Sequence, residues 1–98
     1  MKLLRVHPEA EAEAAGASDW YAVRSIPAAH RFDSQLKSLL QSLPPFPDTS
    51  LPYAYGTRRI LFRRFPYFLV YRELLHEIQV IAVAHARRRP GYWSARIK

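Results

Sequence analysis

The sequence predicts an α+β fold: an N-terminal strand, a helical hairpin, then a three-stranded antiparallel meander. Three observations carry this expectation. Residues 8–23 are dense in alanine and open with Pro8 followed by Glu9, Glu11 and Glu13. Phe32, Leu36, Leu39, Leu40 and Leu43 recur at the i, i+4, i+7, i+8, i+11 spacing of one buried helical stripe. From Thr57 onward, three β-branched and aromatic runs are separated by short breaks. Helical periodicity that gives way to strand-like runs is the pattern of helices packed on one face of an antiparallel sheet. A chain of 98 residues, 49% apolar and 13% aromatic, suits a single globular domain spanning 1–98.

The elements follow in order. Lys2 to Val6 is a short Leu- and Val-bearing run closed by His7-Pro8. Pro8 is preorganised for the first helical position, and the glutamates after it favour the positive end of the helix. Ala10, Ala12, Ala14, Ala15 and Ala17 are strong helix formers, which predicts a helix over residues 8–23 with Gly16 as its weak point. Trp20 and Tyr21 close it with large apolar area and are expected in the core, with a partner-facing role as the alternative. Arg24 to Ile26 is a short connection, and Pro27 opens a second helix that Pro44-Pro45 stops. Residues Pro44 to Gly56 hold four prolines and read as an irregular crossing. Thr57–Arg64, Tyr67–Glu73 and Glu77–His85 are the predicted strands, joined by hairpins at Phe65-Pro66 and Leu74–His76. Strict alternation puts Ile78, Val80, Ala82 and Ala84 on one face of the last strand and Gln79, Ile81, Val83 and His85 on the other. In the first of the three it puts Arg58 and Arg64 on one face and Arg59 and Arg63 on the other, unless a bulge intervenes.

The composition excludes several chemistries. With no cysteine there is no disulfide scaffold, thiolate zinc site, iron–sulfur cluster or cysteine nucleophile. The histidines at 7, 30, 76 and 85 have no short metal-ligand spacing, and the glycines at 16, 56 and 91 form no phosphate-cradling loop; no metal or cofactor is expected. No apolar run approaches the roughly 18–20 residues of a membrane span, and the N-terminal residues lack a secretory apolar stretch. A cytoplasmic protein without membrane attachment is the expectation.

Charge is more informative. Residues 1–49 hold five basic and six acidic side chains, net −1, whereas residues 50–98 hold ten basic and two acidic, net +8. Twelve of the fifteen basic residues are arginine, whose planar fork suits phosphate and carboxylate. So lopsided a distribution points to a polyanionic partner: nucleic acid, ribosome or an acidic protein. Two clusters carry it. Arg58, Arg59, Arg63 and Arg64 flank Ile60-Leu61-Phe62, as an anion-binding stripe or as charges that keep a strand from aggregating. Residues 84–93 then bring His85, Arg87, Arg88, Arg89, Tyr92 and Trp93 into one short segment of phosphate donors and stacking surfaces. RNA cleavage through its 2′-hydroxyl needs a proton acceptor, a proton donor and cations, roles open to His85, Tyr92 and Arg88. Each also has a plain structural reading, with His85 bonded locally and Tyr92 and Trp93 covering the core. Glu9, Glu11 and Glu13 are spaced for a helix N-terminus and not for acid–base work.

The run Arg58-Arg59-Ile60-Leu61-Phe62-Arg63-Arg64-Phe65-Pro66-Tyr67-Phe68-Leu69-Val70-Tyr71-Arg72, followed by Val80-Ile81-Ala82-Val83-Ala84-His85-Ala86-Arg87-Arg88-Arg89-Pro90-Gly91-Tyr92-Trp93, resembles the RelE/ParE toxin superfamily and its ParE-type plasmid-stabilisation members. The resemblance covers roughly residues 6–93. It implies the toxin of a type II toxin–antitoxin pair, held inactive by a small cognate antitoxin of ParD-like kind with an acidic contact segment, and reaching operator DNA only through that antitoxin. RelE-type relatives cut mRNA on the ribosome; ParE-type relatives act on DNA gyrase. Carried over by position, Arg64, Arg72, His85, Arg88 and Tyr92 are the candidates for a nuclease site, while Arg58, Arg59, Arg63, Arg87, Arg89 and Trp93 are candidates for contacting target or antitoxin. The lysines of the RelE-type second strand appear here as arginines, which are poor proton carriers, so a base near neutral pH falls to His85 alone. That departure favours gyrase over ribosome-dependent mRNA cleavage. A non-toxic basic nucleic-acid-binding module is the further alternative.

Overall fold

The computed structural model describes residues 2–43 and 49–97. Its elements are β1 (Leu3–Val6), α1 (Pro8–Arg24), α2 (Ile26–Gln41), β2 (Leu51–Pro52), β3 (Arg58–Leu61), β4 (Tyr67–Glu73) and β5 (Glu77–His85), with 3-10 turns at Ala54–Gly56 and Ser94–Ile97. They form one sheet in the order β1-β5-β4-β3-β2. β1 runs parallel to β5, and the other pairs are antiparallel. The N-terminal strand, helical hairpin and meander stand as the sequence predicts. The proline-rich crossing lies partly outside the described residues; its C-terminal part holds β2, an edge strand the sequence did not signal because it is two residues long and contains Pro52.

Local chemistry sets the helix ends. His7 caps α1, its Nδ1 accepting the Glu9 N–H at 3.0 Å. Ser25 is the one residue between the helices: its extended backbone donates to the Tyr21 carbonyl, and its hydroxyl accepts from the Ala28 N–H. Along α1, Ala10, Ala14, Ala17 and Tyr21 fall on the face towards the sheet, and their small side chains allow close approach. Trp20 lies about 100° around the helix from Tyr21, so it points outward and is 52% exposed. The expectation that Trp20 joins the core is therefore overturned, while Tyr21 packs at the core's margin. Phe32 of α2 is the centre of the helix-side core, fully buried and stacked on Phe62 with ring centroids 5.0 Å apart. Phe65 and Tyr67 meet it edge-on.

The opposite sheet face carries a second core of Phe68, Val70, Ile81, Ala82, Ala84 and Trp93. The sheet is thus covered on both sides, by helices on one and by the C-terminal turn on the other. Two predicted details fail here. Val70 pairs with Ala82 while Tyr71 pairs with Val80, so Ile81 is an extra residue in β5. The bulge inverts alternation beyond it: Ile78, Val80 and Val83 face the helices, whereas Ile81, Ala82 and Ala84 face Trp93. The other correction concerns β3, which stops at Leu61 and not at Arg64. Arg64 takes the left-handed conformation, φ 66°, in a turn that α2 fixes, since the Gln35 side chain accepts from the Arg63 N–H and donates to the Arg63 carbonyl.

Candidate functional site

The C-terminal turn is held by a carboxylate from α1. β1 ends at Val6, opposite Val80, so among the described residues the edge of β5 beyond it has no strand partner. Glu13 and Arg96 fill that gap. Glu13 Oε1 accepts the Val83 N–H at 3.0 Å, and Arg96 Nη1 donates to the Ile81 carbonyl at 3.1 Å. The two side chains join in a bidentate pair, Nη1 to Oε1 at 2.9 Å and Nη2 to Oε2 at 3.0 Å. Tyr92 completes the cluster by donating its hydroxyl to Glu13 Oε2 at 2.5 Å. An ion pair and a phenol thus stand in for a missing strand, which also protects the edge. By sequence alone Glu13 groups with Glu9 and Glu11 as helix N-terminal charges, and nothing marks Arg96. One signal was available: Glu13 lies well beyond the first turn, where the helix dipole has little hold.

His85, Arg88 and Tyr92 do come together. The Arg88 guanidinium lies 3.9 Å from the Tyr92 ring centroid, and the Arg88 N–H donates to the His85 carbonyl at 3.0 Å. His85 Nδ1 accepts the Arg87 N–H at 3.0 Å, and its ring sits edge-on to Tyr67, 5.0 Å between centroids. That acceptance assigns the ring proton to Nε2 in the neutral imidazole and occupies the lone pair of the other nitrogen. Arg87 and Arg89 are exposed on the same turn.

Arg72 is elsewhere. It pairs with Gln79 in the sheet and donates its Nε–H to Gln79 Oε1 at 2.8 Å, six residues along β5 from His85, or roughly 20 Å. The bulge puts the two on opposite faces. Arg64 stands exposed on the β3–β4 turn. Of the stripe, Arg58 is engaged with Ser50, Nε to the hydroxyl at 2.8 Å and Nη2 to the carbonyl at 3.0 Å. Arg59 lies over Tyr53, 4.5 Å from its ring centroid. Arg63 is exposed beside Arg64. Trp93 is 1% exposed, wedged against Tyr53 and Tyr55, so it presents no surface to a partner. Among the described residues no group of three His, Cys, Asp or Glu side chains converges as a metal site, and no helix is long and apolar enough to cross a membrane.

The Tyr92 phenol is pushed well above the ordinary tyrosine value of 10.0, by burial first and by its hydrogen bond to Glu13 next. A group whose folded pKa is raised contributes stability that is complete below its unfolded pKa and is lost as pH climbs past it. Folding stability should therefore fall from about pH 10 upward. Tyr92→Phe should flatten that fall, as read by urea midpoints at stepped alkaline pH; equal slopes in both proteins would refute the assignment.

Residues 4–90 match the family described as "ParE toxin of type II toxin-antitoxin system, parDE". No curated protein matches significantly. Among solved structures, a chain of the "Chromosomal ParDE TA system from P. aeruginosa" superposes with a TM-score of 0.67 at 23% identity, covering 87% of this chain and 96% of that one; at that identity the likeness speaks for the fold. With the family match running over nearly the whole length, from within β1 to the turn that follows β5, this chain belongs to the ParE toxins of type II toxin–antitoxin systems.

Proposed function

We propose that this toxin arrests growth by binding DNA gyrase, and that a cognate ParD-like antitoxin neutralises it. One observation carries the choice of target: the groups an RNA-cleaving site would need are either engaged or apart. Tyr92 commits its hydroxyl hydrogen bond to Glu13, His85 Nδ1 is taken by a backbone N–H, and the bulge sets Arg72 on the face opposite His85. What remains accessible, Arg87, Arg88 and Arg89 with the Tyr92 ring, is a binding surface without a proton carrier.

The antitoxin has its own fitting place. A cleft of about 900 Å³ opens between α2 and β3, walled by Leu39, Leu51, Leu61 and Phe62 with Arg63 at its rim. Leu51 and Leu61 are 47% and 56% exposed, and among the described residues the edge of β3 away from β4 has no strand partner beyond Arg59. An apolar segment bearing a carboxylate would fill that cleft and meet Arg63.

The test is a supercoiling and DNA-cleavage assay with purified toxin and gyrase, run beside a ribosome-dependent mRNA cleavage assay. Loss of supercoiling or accumulation of linear DNA, reversed by antitoxin and without mRNA cleavage, is the expected result. Arg88→Ala should weaken gyrase inhibition about tenfold with the urea midpoint unchanged. Cleaved mRNA and unaffected gyrase would overturn the reading and return His85, Arg88 and Tyr92 to catalytic roles.

A further inference from the structure

The turn between the helices exposes apolar side chains that the fold does not use. Val23 is 85% exposed, Ile26 57% and Trp20 52%. The indole is nevertheless held in place: the Arg24 guanidinium lies 3.6 Å from its ring centroid, and Arg24 Nη1 donates to the Trp20 carbonyl at 2.8 Å. An exposed tryptophan fixed by a stacked arginine is preorganised for contact and costs little entropy to bury.

Beside this knob lies a cleft of about 670 Å³ with His30, Arg31, Arg63 and Arg64 on its walls. Ile26 and His30 are one turn apart on α2, and Tyr21 at the end of α1 meets Phe65 of the cleft wall, 5.0 Å between centroids, so knob and cleft form one surface. Gln35 fixes the backbone that carries Arg63. Among the described residues none of Arg31, Arg63 and Arg64 makes an ion pair. The nearby carboxylates are Asp33, which accepts from Ser18 at 3.1 Å, and Asp19 on α1. Glu73 and Glu77 lie at the opposite end of the sheet, bound to Lys2 and Arg5.

From this we infer that the helical-hairpin tip and the adjoining arginine cleft, through Trp20, Arg31 and Arg64, are a docking surface for an acidic protein segment with an apolar anchor, belonging to the toxin's target and bordering the antitoxin cleft, with which it shares the Gln35–Arg63 wall. Charge complementarity selects an acidic occupant, since Arg31 and Arg64, without ion-pair partners among the described residues, face this cleft and Arg63 stands at the rim it shares with the antitoxin cleft. The apolar knob selects protein over nucleic acid: Val23 and Ile26 gain nothing from phosphates, whereas Trp and Arg at the centre of a patch are the residues that carry protein–protein affinity. The inference rests on the toxin reading above and adds a second contact face for the target beside the Arg87–Arg89 surface.

The experiment uses the full-length toxin and two variants at exposed positions, Trp20→Ser and the pair Arg31→Glu/Arg64→Glu, each checked for an unchanged urea midpoint. Growth arrest on induction, gyrase inhibition and affinity for the antitoxin are read in parallel. Both variants should lose about tenfold or more in growth arrest while antitoxin affinity stays within about twofold. Undiminished arrest, or antitoxin affinity lost in step with it, would overturn the inference. So would wild-type binding to a short DNA duplex that both variants abolish, because the partner would then be a nucleic acid. If wild-type toxin leaves gyrase untouched, the gyrase assignment alone fails, and the growth and antitoxin readings still decide whether this tip grips the target.

Discussion

Replacing Glu13 with alanine should destabilise the fold by about 3–5 kcal/mol, the cost of removing one partner from a largely buried ion pair. The change strands three donors together: the Arg96 guanidinium, with 14% of its side chain exposed, the Tyr92 hydroxyl and the Val83 N–H. Arg96 would retain the Ile81 carbonyl and nothing of opposite charge. Glu13→Gln keeps one acceptor oxygen, enough for the Val83 N–H, and its amide N–H can donate to the Tyr92 hydroxyl oxygen, so it should lose less. The double change Glu13→Leu with Arg96→Met should recover much of the loss, because two matched apolar groups remove the charge problem altogether. Urea unfolding of the four proteins checks the set. If Glu13→Ala and Glu13→Gln unfold at the wild-type midpoint, the carboxylate is not the anchor of the C-terminal turn.

Trp93→Ala should cost a similar 3–5 kcal/mol, the usual range for truncating a buried large aromatic. Trp93 is the largest side chain in the core opposite the helices, and Tyr53 and Tyr55 lean on it. Its loss opens a void over Phe68, Val70 and Ala84 that neighbouring groups cannot close without moving the whole turn. Trp93→Phe should retain more than half of the stability. Fluorescence gives a second reading, because the sequence holds two tryptophans in unlike surroundings. Emission from Trp93→Ala should shift to the red and be quenched readily by acrylamide, since only exposed Trp20 remains. A protein that keeps both its midpoint and its blue-shifted emission would show that Trp93 is not buried as described.

The two helices, a short joint between them and the meander were legible because each rests on local chemistry: proline at the helix starts, a leucine stripe, strand runs with a proline at the first break; that the joint is Ser25 alone was not legible. The family resemblance was legible for the same reason, in a contiguous C-terminal motif. What stayed hidden depends on contacts distant in sequence. A bulge leaves no mark when Val80, Ile81, Ala82 and Val83 are all apolar, so strict alternation assigned His85 to the face of Gln79 and misplaced it relative to Arg72. Adjacent Trp20 and Tyr21 look equivalent until the alanine face of α1 decides which one turns inward. The arginine stripe read as uniform, yet Arg58 is committed to Ser50, whereas Arg63 stands in solvent. Glu13 was the largest omission: its partners lie 70, 79 and 83 residues away.

The parallel pairing of β1 with β5 has a consequence for how the toxin comes into being. Leu3 is opposite Glu77 and Val6 opposite Val80, so the first strand made during synthesis waits for nearly the last. Until residues beyond 80 have emerged, α1 has no complete sheet to cover, and the Arg96 that secures it arrives later still. Closing so long a loop before any reward is slow, and the helical hairpin meanwhile shows its leucine stripe to solvent. A chain truncated before residue 96 therefore lacks the arginine that ties α1 to the C-terminal turn, and assembly is completed late. That delay gives a partner already present in the cell the chance to meet the chain as it closes, before the chain meets its target.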